Sequence, residues 1–169
     1  MAKKKQVLVG VVMGSDSDWP VMQRCVSQLD ALGVACEVRV ISAHRTPDVA
    51  HEYAATASDR GLKVLIAAAG MSAALGGVLA SKTTLPIVGV PMASGPLVGV
   101  DAALSTMQMP PGVPVACMSI GGAGATNAAI YAAQILALSD AKLAARLERF
   151  KKDQARKVVR KDAAIRKKT

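Results

Sequence analysis

The residues best equipped for chemistry lie in one stretch, Ile41-Ser42-Ala43-His44-Arg45-Thr46-Pro47. His44 is one of two histidines in the chain, and Arg45 beside it is one of few arginines outside the termini. An imidazole can exchange a proton near neutral pH, and a guanidinium can hold a phosphate or carboxylate through its planar fork of donors. Ser42 and Ala43 are small enough to let a ligand approach the backbone. Pro47 suits the first position of a helix, where its missing N–H costs nothing.

A second cluster, Gly14-Ser15-Asp16-Ser17-Asp18-Trp19, combines a glycine, two hydroxyls and two carboxylates just ahead of a helical pattern. N–H groups at a helix start attract an anion, and Ser15 and Ser17 can add hydroxyl donors. Two carboxylates oppose a bare anion, but a ribose phosphate suits the mixture. Serines and N–H groups hold the phosphate while a carboxylate accepts from the sugar hydroxyls. The plainer alternative is that Asp16 or Ser17 only caps the helix. The loop is neither GxGxxG nor a P-loop, which disfavours dinucleotide and triphosphate ligands. A third stretch, Gly70 to Gly77, offers small residues whose backbone could approach a planar ring, or that merely allow tight helix–strand packing.

Other polar residues read more simply. His51, two helical turns beyond His44, is expected at the surface or half-buried. Lys82 reads as a solvated helix end and Asp101 as a helix N-cap near Gly99. The methionines are expected to fill gaps in the core.

These loops must be positioned by regular elements, and the apolar runs supply them. Val7–Met13, Ala35–Ile41, Val64–Ala69, Ile87–Val90 and Val115–Met118 read as short strands rich in β-branched residues. Val7–Met13 has the continuous apolar character of a strand buried on both faces. Between them come a stripe at Val21, Met22, Cys25, Leu29 and Leu32 closed by Gly33, a helix over Asp48–Arg60 closed by Gly61, and a short helix through Lys82. Helices over 101–108 and 125–138 follow, then one long charged helix from Asp140. Alternating strands and helices imply a single α/β domain, three layers (αβα) around a parallel sheet. Residues 6–138 form its core, and the basic helix over 140–168 is expected to pack on a neighbouring subunit. Ligands of such sheets bind outside the carboxyl ends of the strands, which selects loops 14–19, 42–47 and 70–77.

The totals narrow the function classes. In 169 residues, 51% are hydrophobic and only 2% aromatic, so Ala, Val, Leu, Ile and Met must build the core. The net charge of +9 is terminal. Lys3, Lys4 and Lys5 contribute +3, and residues 142–169 another +9 from 12 Lys/Arg against 3 Asp/Glu. Residues 6–141 hold 6 Lys/Arg and 9 Asp/Glu, a mildly acidic body. Without aromatic interleaving or a nucleic-acid motif, the basic ends read as solvated and no nucleic-acid partner is expected. Cys25, Cys36 and Cys117 have no metal-ligand spacing and sit in apolar contexts, so they read as reduced, buried thiols of a cytoplasmic protein. Gln6–Gly14 is too short for a signal-peptide core, and no stretch is long and apolar enough to span a membrane.

Several motifs together carry a resemblance: GSDSDW at 14–19, SAHRTP at 42–47, the third loop at 69–77, GVP at 89–91, QMPPGVPVA at 108–116 and GAGATNAAIYAAQIL at 122–136. From about residue 6 to 138 the chain resembles the aminoimidazole ribonucleotide carboxylase/mutase family of purine biosynthesis. GSDSDW followed by SAHRTP is the specific part of that signal. The resemblance implies a flavodoxin-like fold, a homo-octamer whose sites involve neighbouring subunits, and a reaction without metal or organic cofactor. It implies a small ribonucleotide substrate and a carboxylate moved from an exocyclic nitrogen to a ring carbon. His44 is then the proton carrier; Ser15, Asp18 and Arg45 hold the ribonucleotide, with Ser17, Ser42 and Gly70 in lesser roles. One branch carries out this migration, and another carboxylates the ring directly with carbon dioxide. The migrating branch usually has AGGAAHLPG in the third loop, where this chain has AGMSAALGG, so Ala74 and Gly76 replace a histidine and a proline. Ser72 and Leu75 lean toward direct carboxylation, whereas Arg45, GVPM and the last two motifs lean toward migration.

Overall fold

The computed structural model describes residues 6–168. Lys3, Lys4 and Lys5, which carry part of the terminal charge, lie outside them. Five strands, β1 (Val9–Met13), β2 (Cys36–Val40), β3 (Val64–Gly70), β4 (Ile87–Met92) and β5 (Ala116–Cys117), form one parallel sheet in the order β2-β1-β3-β4-β5. This is the flavodoxin-like order. The helices are α1 (Trp19–Ala31), α2 (Pro47–Ala55), α3 (Leu75–Ala80), α4 (Val100–Met107), α5 (Gly122–Ala137) and α6 (Ala141–Arg166).

Two apolar cores explain the three layers. On one face Met22, Cys25 and Leu29 of α1 and five alanines of α5 (Ala125, Ala128, Ala129, Ala132 and Ala133) meet Val9, Val11, Ile66 and Val88. On the other, Ala50, Tyr53 and Ala54 of α2 and Leu75 and Leu79 of α3 meet Val12, Leu65 and Ala67. Alternate residues of β1 thus enter opposite cores, as the period of two requires, and every residue of β1 is buried. Alanine and glycine replace bulk with proximity. A side-chain carbon at Gly124 would collide with the backbone carbonyl oxygen of Ser119, so only glycine lets α5 start against its own entry loop. Gly124→Ala is expected to destabilise the fold by about 1–3 kcal/mol or more, lowering the melting temperature by about 2–4 °C per kcal/mol. Ala123→Ser, at an exposed position of the same helix, should change stability by less than about 0.5 kcal/mol. Calorimetry of the two variants checks both.

Several expectations need correction. β2 is shorter than Ala35–Ile41 and, as a sheet edge, is half-buried to exposed rather than covered. β4 runs on through Pro91 to Met92. The Pro91 carbonyl accepts from Gly121 N–H (2.9 Å), so its nitrogen faces the side where β5, pairing only at Val88 and Gly89, has already ended and no ladder needs a donor. α2 stops at Ala55, where the Thr56 hydroxyl donates back to the Glu52 carbonyl (2.8 Å) and turns continue to Gly61. α5 starts at Gly122, not 125.

Asp101 is not the cap of α4. Gly99, at φ 89°, holds that position, and among the described residues the buried Oδ1 of Asp101 has no hydrogen-bond partner. Met13, Met22 and Met92 fill the core, but Met71 and Met107 are 56% and 53% exposed. Cys25 is buried, its thiol pushed up to about 12 by that burial. Cys36 and Cys117 are only half-buried, though burial raises their thiols too, and all three are free. His51 is half-buried and Lys82 exposed, as expected. Among the described residues no helix is long and apolar enough to cross a membrane.

Candidate active site

The strand order creates a switch point. From β1 the chain turns outward to β2 and then crosses back to β3, so the loops after β1 and β3 diverge to opposite faces of the sheet. A crevice opens between them at the carboxyl ends. Two backbone bonds fix its floor: Gly14 N–H donates to Ala68 O (3.0 Å) and Ile41 N–H to Met13 O (2.8 Å). The cavity there has a volume of about 580 Å³, within the range of small-molecule sites.

The first wall is a 3₁₀ turn, Asp16–Asp18, capped reciprocally. Ser15 Oγ accepts from Ser17 N–H (3.2 Å), and Asp18 Oδ2 accepts from Ser15 N–H (3.2 Å). Ser15 therefore caps the 3₁₀ turn, while Asp18, not Asp16 or Ser17, holds the N-cap position of α1 without a side-chain capping bond, and the box rigidifies the loop before α1 begins. Ser17 Oγ donates to Ser15 Oγ (2.8 Å), placing the two hydroxyls side by side at the cavity wall. Asp18 is buried. Burial pushes its carboxyl above the usual range, the Ser15 N–H counteracts this, and Asp16 adds to the rise.

The second wall is the turn between β2 and α2. Ser42 Oγ accepts from the Arg45 backbone N–H (3.2 Å) and from Arg45 Nε (3.4 Å). One guanidinium nitrogen of Arg45 reaches across to donate to Gly14 O (3.4 Å), linking the first two loops. His44 is exposed on this turn and lines the cavity. α2 begins at Pro47, as the sequence predicts.

The third wall, Ala69 to Leu75, is almost entirely apolar, with Ser72 its only hydroxyl. Met71 stands in the left-handed region (φ 55°) and is exposed at the cavity. Ala74, where the resemblance leads one to expect histidine, contributes a methyl group to the lining. Gly70 makes room for a residue from a fourth loop. A side-chain carbon there would strike Ser94 Oγ, which lies beyond β4 and also lines the cavity.

All seven residues singled out in the sequence thus line one cavity: Ser15, Ser17, Asp18, Ser42, His44, Arg45 and Gly70. Ser94 and Met71 were missed. Ser94 follows a strand, so carrying the strand-end rule on to the fourth loop finds it. Met71 takes a conformation that glycine favours, and the AGGAAHLPG pattern, with glycine at that place, carries the signal that marks it. Among the described residues no three His, Cys, Asp or Glu side chains are grouped to hold a metal ion. The arrangement offers two adjacent hydroxyls and a guanidinium for an anion, a buried carboxyl, an exposed imidazole and a small apolar wall opposite.

Residues 8–157 match the family described as AIR carboxylase. The N5-carboxyaminoimidazole ribonucleotide mutase of Bacillus subtilis (strain 168) is 56% identical over 143 residues, covering 85% of this chain and 88% of that one. The protein of the same name from Pseudomonas aeruginosa is 50% identical over 152 residues, covering 90% and 93%. Among crystal structures, a variant of Treponema denticola PurE2 superposes with a TM-score of 0.85 at 27% identity, covering 95% of this chain and 98% of that one.

Proposed function

This chain belongs to the AIR carboxylase family, and on that footing we propose that it is an N5-carboxyaminoimidazole ribonucleotide mutase of de novo purine biosynthesis. The observation that carries the reading is the meeting of His44, Arg45, Ser15, Ser17 and Asp18 in one cavity of about 580 Å³. Arg45 and the serine pair hold the 5′-phosphate, and Asp18 takes the ribose hydroxyls. The imidazole ring of the substrate lies between His44 and the apolar third wall.

The reaction breaks one C–N bond and makes one C–C bond. Protonated His44 gives its proton to the exocyclic nitrogen as the carbamate leaves as carbon dioxide. The ring carbon then attacks carbon dioxide, and neutral His44 removes the proton that this carbon carried. The imidazole ends as it began, and no electrons are gained or lost, so the chemistry calls for no cofactor or metal. General acid–base catalysis of this kind contributes about 10²–10⁴-fold. Retaining carbon dioxide beside the ring is an effective-concentration effect, and the wall of Ala69, Gly70, Ala74 and Leu75 suits a small neutral molecule.

The histidine expected at position 74 in the mutase branch is absent, which favours direct carboxylation of aminoimidazole ribonucleotide as a second reading. A paired assay without ATP separates them. Purified protein receives N5-carboxyaminoimidazole ribonucleotide in one arm, and aminoimidazole ribonucleotide with carbon dioxide in the other. We expect rapid product in the first and little in the second. The reverse result overturns the mutase reading and assigns the branch to the third loop.

The working form is a cytoplasmic homo-octamer. Leu143 is buried against the body and Arg146 Nε donates to Leu32 O (2.8 Å), but Val158, Val159 and Ile165 farther along α6 are exposed. Leu97, Val98, Val100 and Leu104 are exposed as well, beside the buried Asp101 Oδ1, which has no partner among the described residues. Such surfaces suit contacts with neighbouring copies, α6 included. Sedimentation should give a mass near eight times 17.4 kDa, and a monomer would remove this part of the proposal.

A further inference from the structure

Thr46 occupies the N-cap position of α2, yet its side chain makes no capping bond to that helix. The hydroxyl points backward instead. Thr46 Oγ1 accepts from Ser42 N–H (3.1 Å) and donates to Ser42 O (2.9 Å), and the Thr46 backbone N–H also donates to Ser42 O (2.9 Å). Three hydrogen bonds between two residues therefore close a ring around Ala43, His44 and Arg45. The ring has a second consequence. With Ser42 clamped through its backbone, its hydroxyl faces Arg45, accepting from both the backbone N–H and Nε.

We propose that Thr46 is the positioning residue of the site, its hydroxyl fixing the turn that aims both the proton carrier His44 and the anion anchor Arg45. This inference deepens the mutase reading and rests on it for the roles of those two residues. Ala43 packs against the core beside α2 and α3, but His44 and Arg45 are exposed, so the hydrogen bonds of the turn must set the direction of those two side chains. N-cap threonines ordinarily spend their hydroxyl on the N2 or N3 amide. Here Pro47 sets the start of the helix by its own fixed φ, which frees the hydroxyl for the loop.

The test compares Thr46→Val, which keeps the branched shape and loses the hydroxyl, with Thr46→Ser, which keeps the hydroxyl. Misplacing reacting groups by about 1 Å can cost about 10²-fold, so Thr46→Val should lose about 10–100-fold in kcat and also raise KM. Thr46→Ser should stay within about threefold of the parent on both. A merely structural role predicts a lowered melting temperature in Thr46→Val with kcat and KM of the folded protein unchanged, and no kinetic rescue to be seen in Thr46→Ser. Thr46→Val within twofold of the parent in both constants, or Thr46→Ser as impaired as Thr46→Val, overturns the proposal.

A parent protein inactive on N5-carboxyaminoimidazole ribonucleotide would overturn the mutase reading, not this one. Millisecond hydrogen exchange of the 41–47 segment then decides. Faster exchange in Thr46→Val than in the parent or Thr46→Ser supports the clamp, and unchanged exchange in all three removes it.

Discussion

Replacing His44 by asparagine is expected to lower turnover of N5-carboxyaminoimidazole ribonucleotide by about 10²–10⁴-fold while changing ribonucleotide affinity by less than about threefold. Asparagine has similar bulk and can still hydrogen-bond, but it cannot carry a proton through the cycle. The rest of the cavity is independent of the imidazole. His44 is exposed on its turn, and the turn is closed by Ser42, Arg45 and Thr46. Stability should hence be unaffected, and calorimetric binding of the aminoimidazole ribonucleotide should persist. Steady-state kinetics beside that titration separates the two effects. Near-normal turnover in His44→Asn would remove the proton-shuttle mechanism.

Arg45→Met should do the opposite, raising KM by about 10²-fold with a much smaller fall in kcat at saturation. The estimate follows from losing two hydrogen bonds to a charged phosphate, each contributing about 1.5 kcal/mol. Arg45 is held before any ligand arrives, through Ser42 Oγ and Gly14 O, so its donors need little reordering on binding. Arg45→Lys should recover only part of the loss, because an ammonium on a flexible stem lacks the planar fork. Adding inorganic phosphate as a competitor gives a second reading, with inhibition of the parent and little inhibition of Arg45→Met. A methionine variant with unchanged KM would show that the phosphate lies elsewhere.

Much of this site was legible before any coordinates because its chemistry is concentrated in strand-end loops. The continuous apolar runs of β1 and β3 name themselves, Gly33 and Gly61 close their segments at positive φ, and Pro47 marks the start of α2. Three of the four loops around the cavity then follow from one rule about parallel sheets. What stayed hidden depends on partners distant in sequence. Nothing in CEVRV says that β2 is an edge, since that depends on which strand lies beyond β1. Glycine at 122 and 124 reads locally as a helix breaker, and only the nearness of Ser119 makes Gly124 necessary inside α5. Pro91 likewise reads as a strand end until the shortness of β5 leaves its nitrogen without a partner to satisfy. Ser94 was overlooked for a simpler reason, that the fourth loop holds no other reactive side chain.

The pairing of α1 with α5 has a consequence during synthesis. Met22, Cys25 and Leu29 are covered in the finished protein by alanines that begin at Ala125. A ribosome adds about 5–20 residues per second, so α1 emerges several seconds before the helix that shields it. Through that interval the nascent chain carries an uncovered apolar face beside β1, whose neighbour β3 is also still to come. The order of elements thus makes the early chain adhesive and a natural client for holding chaperones, although the completed domain buries that face fully.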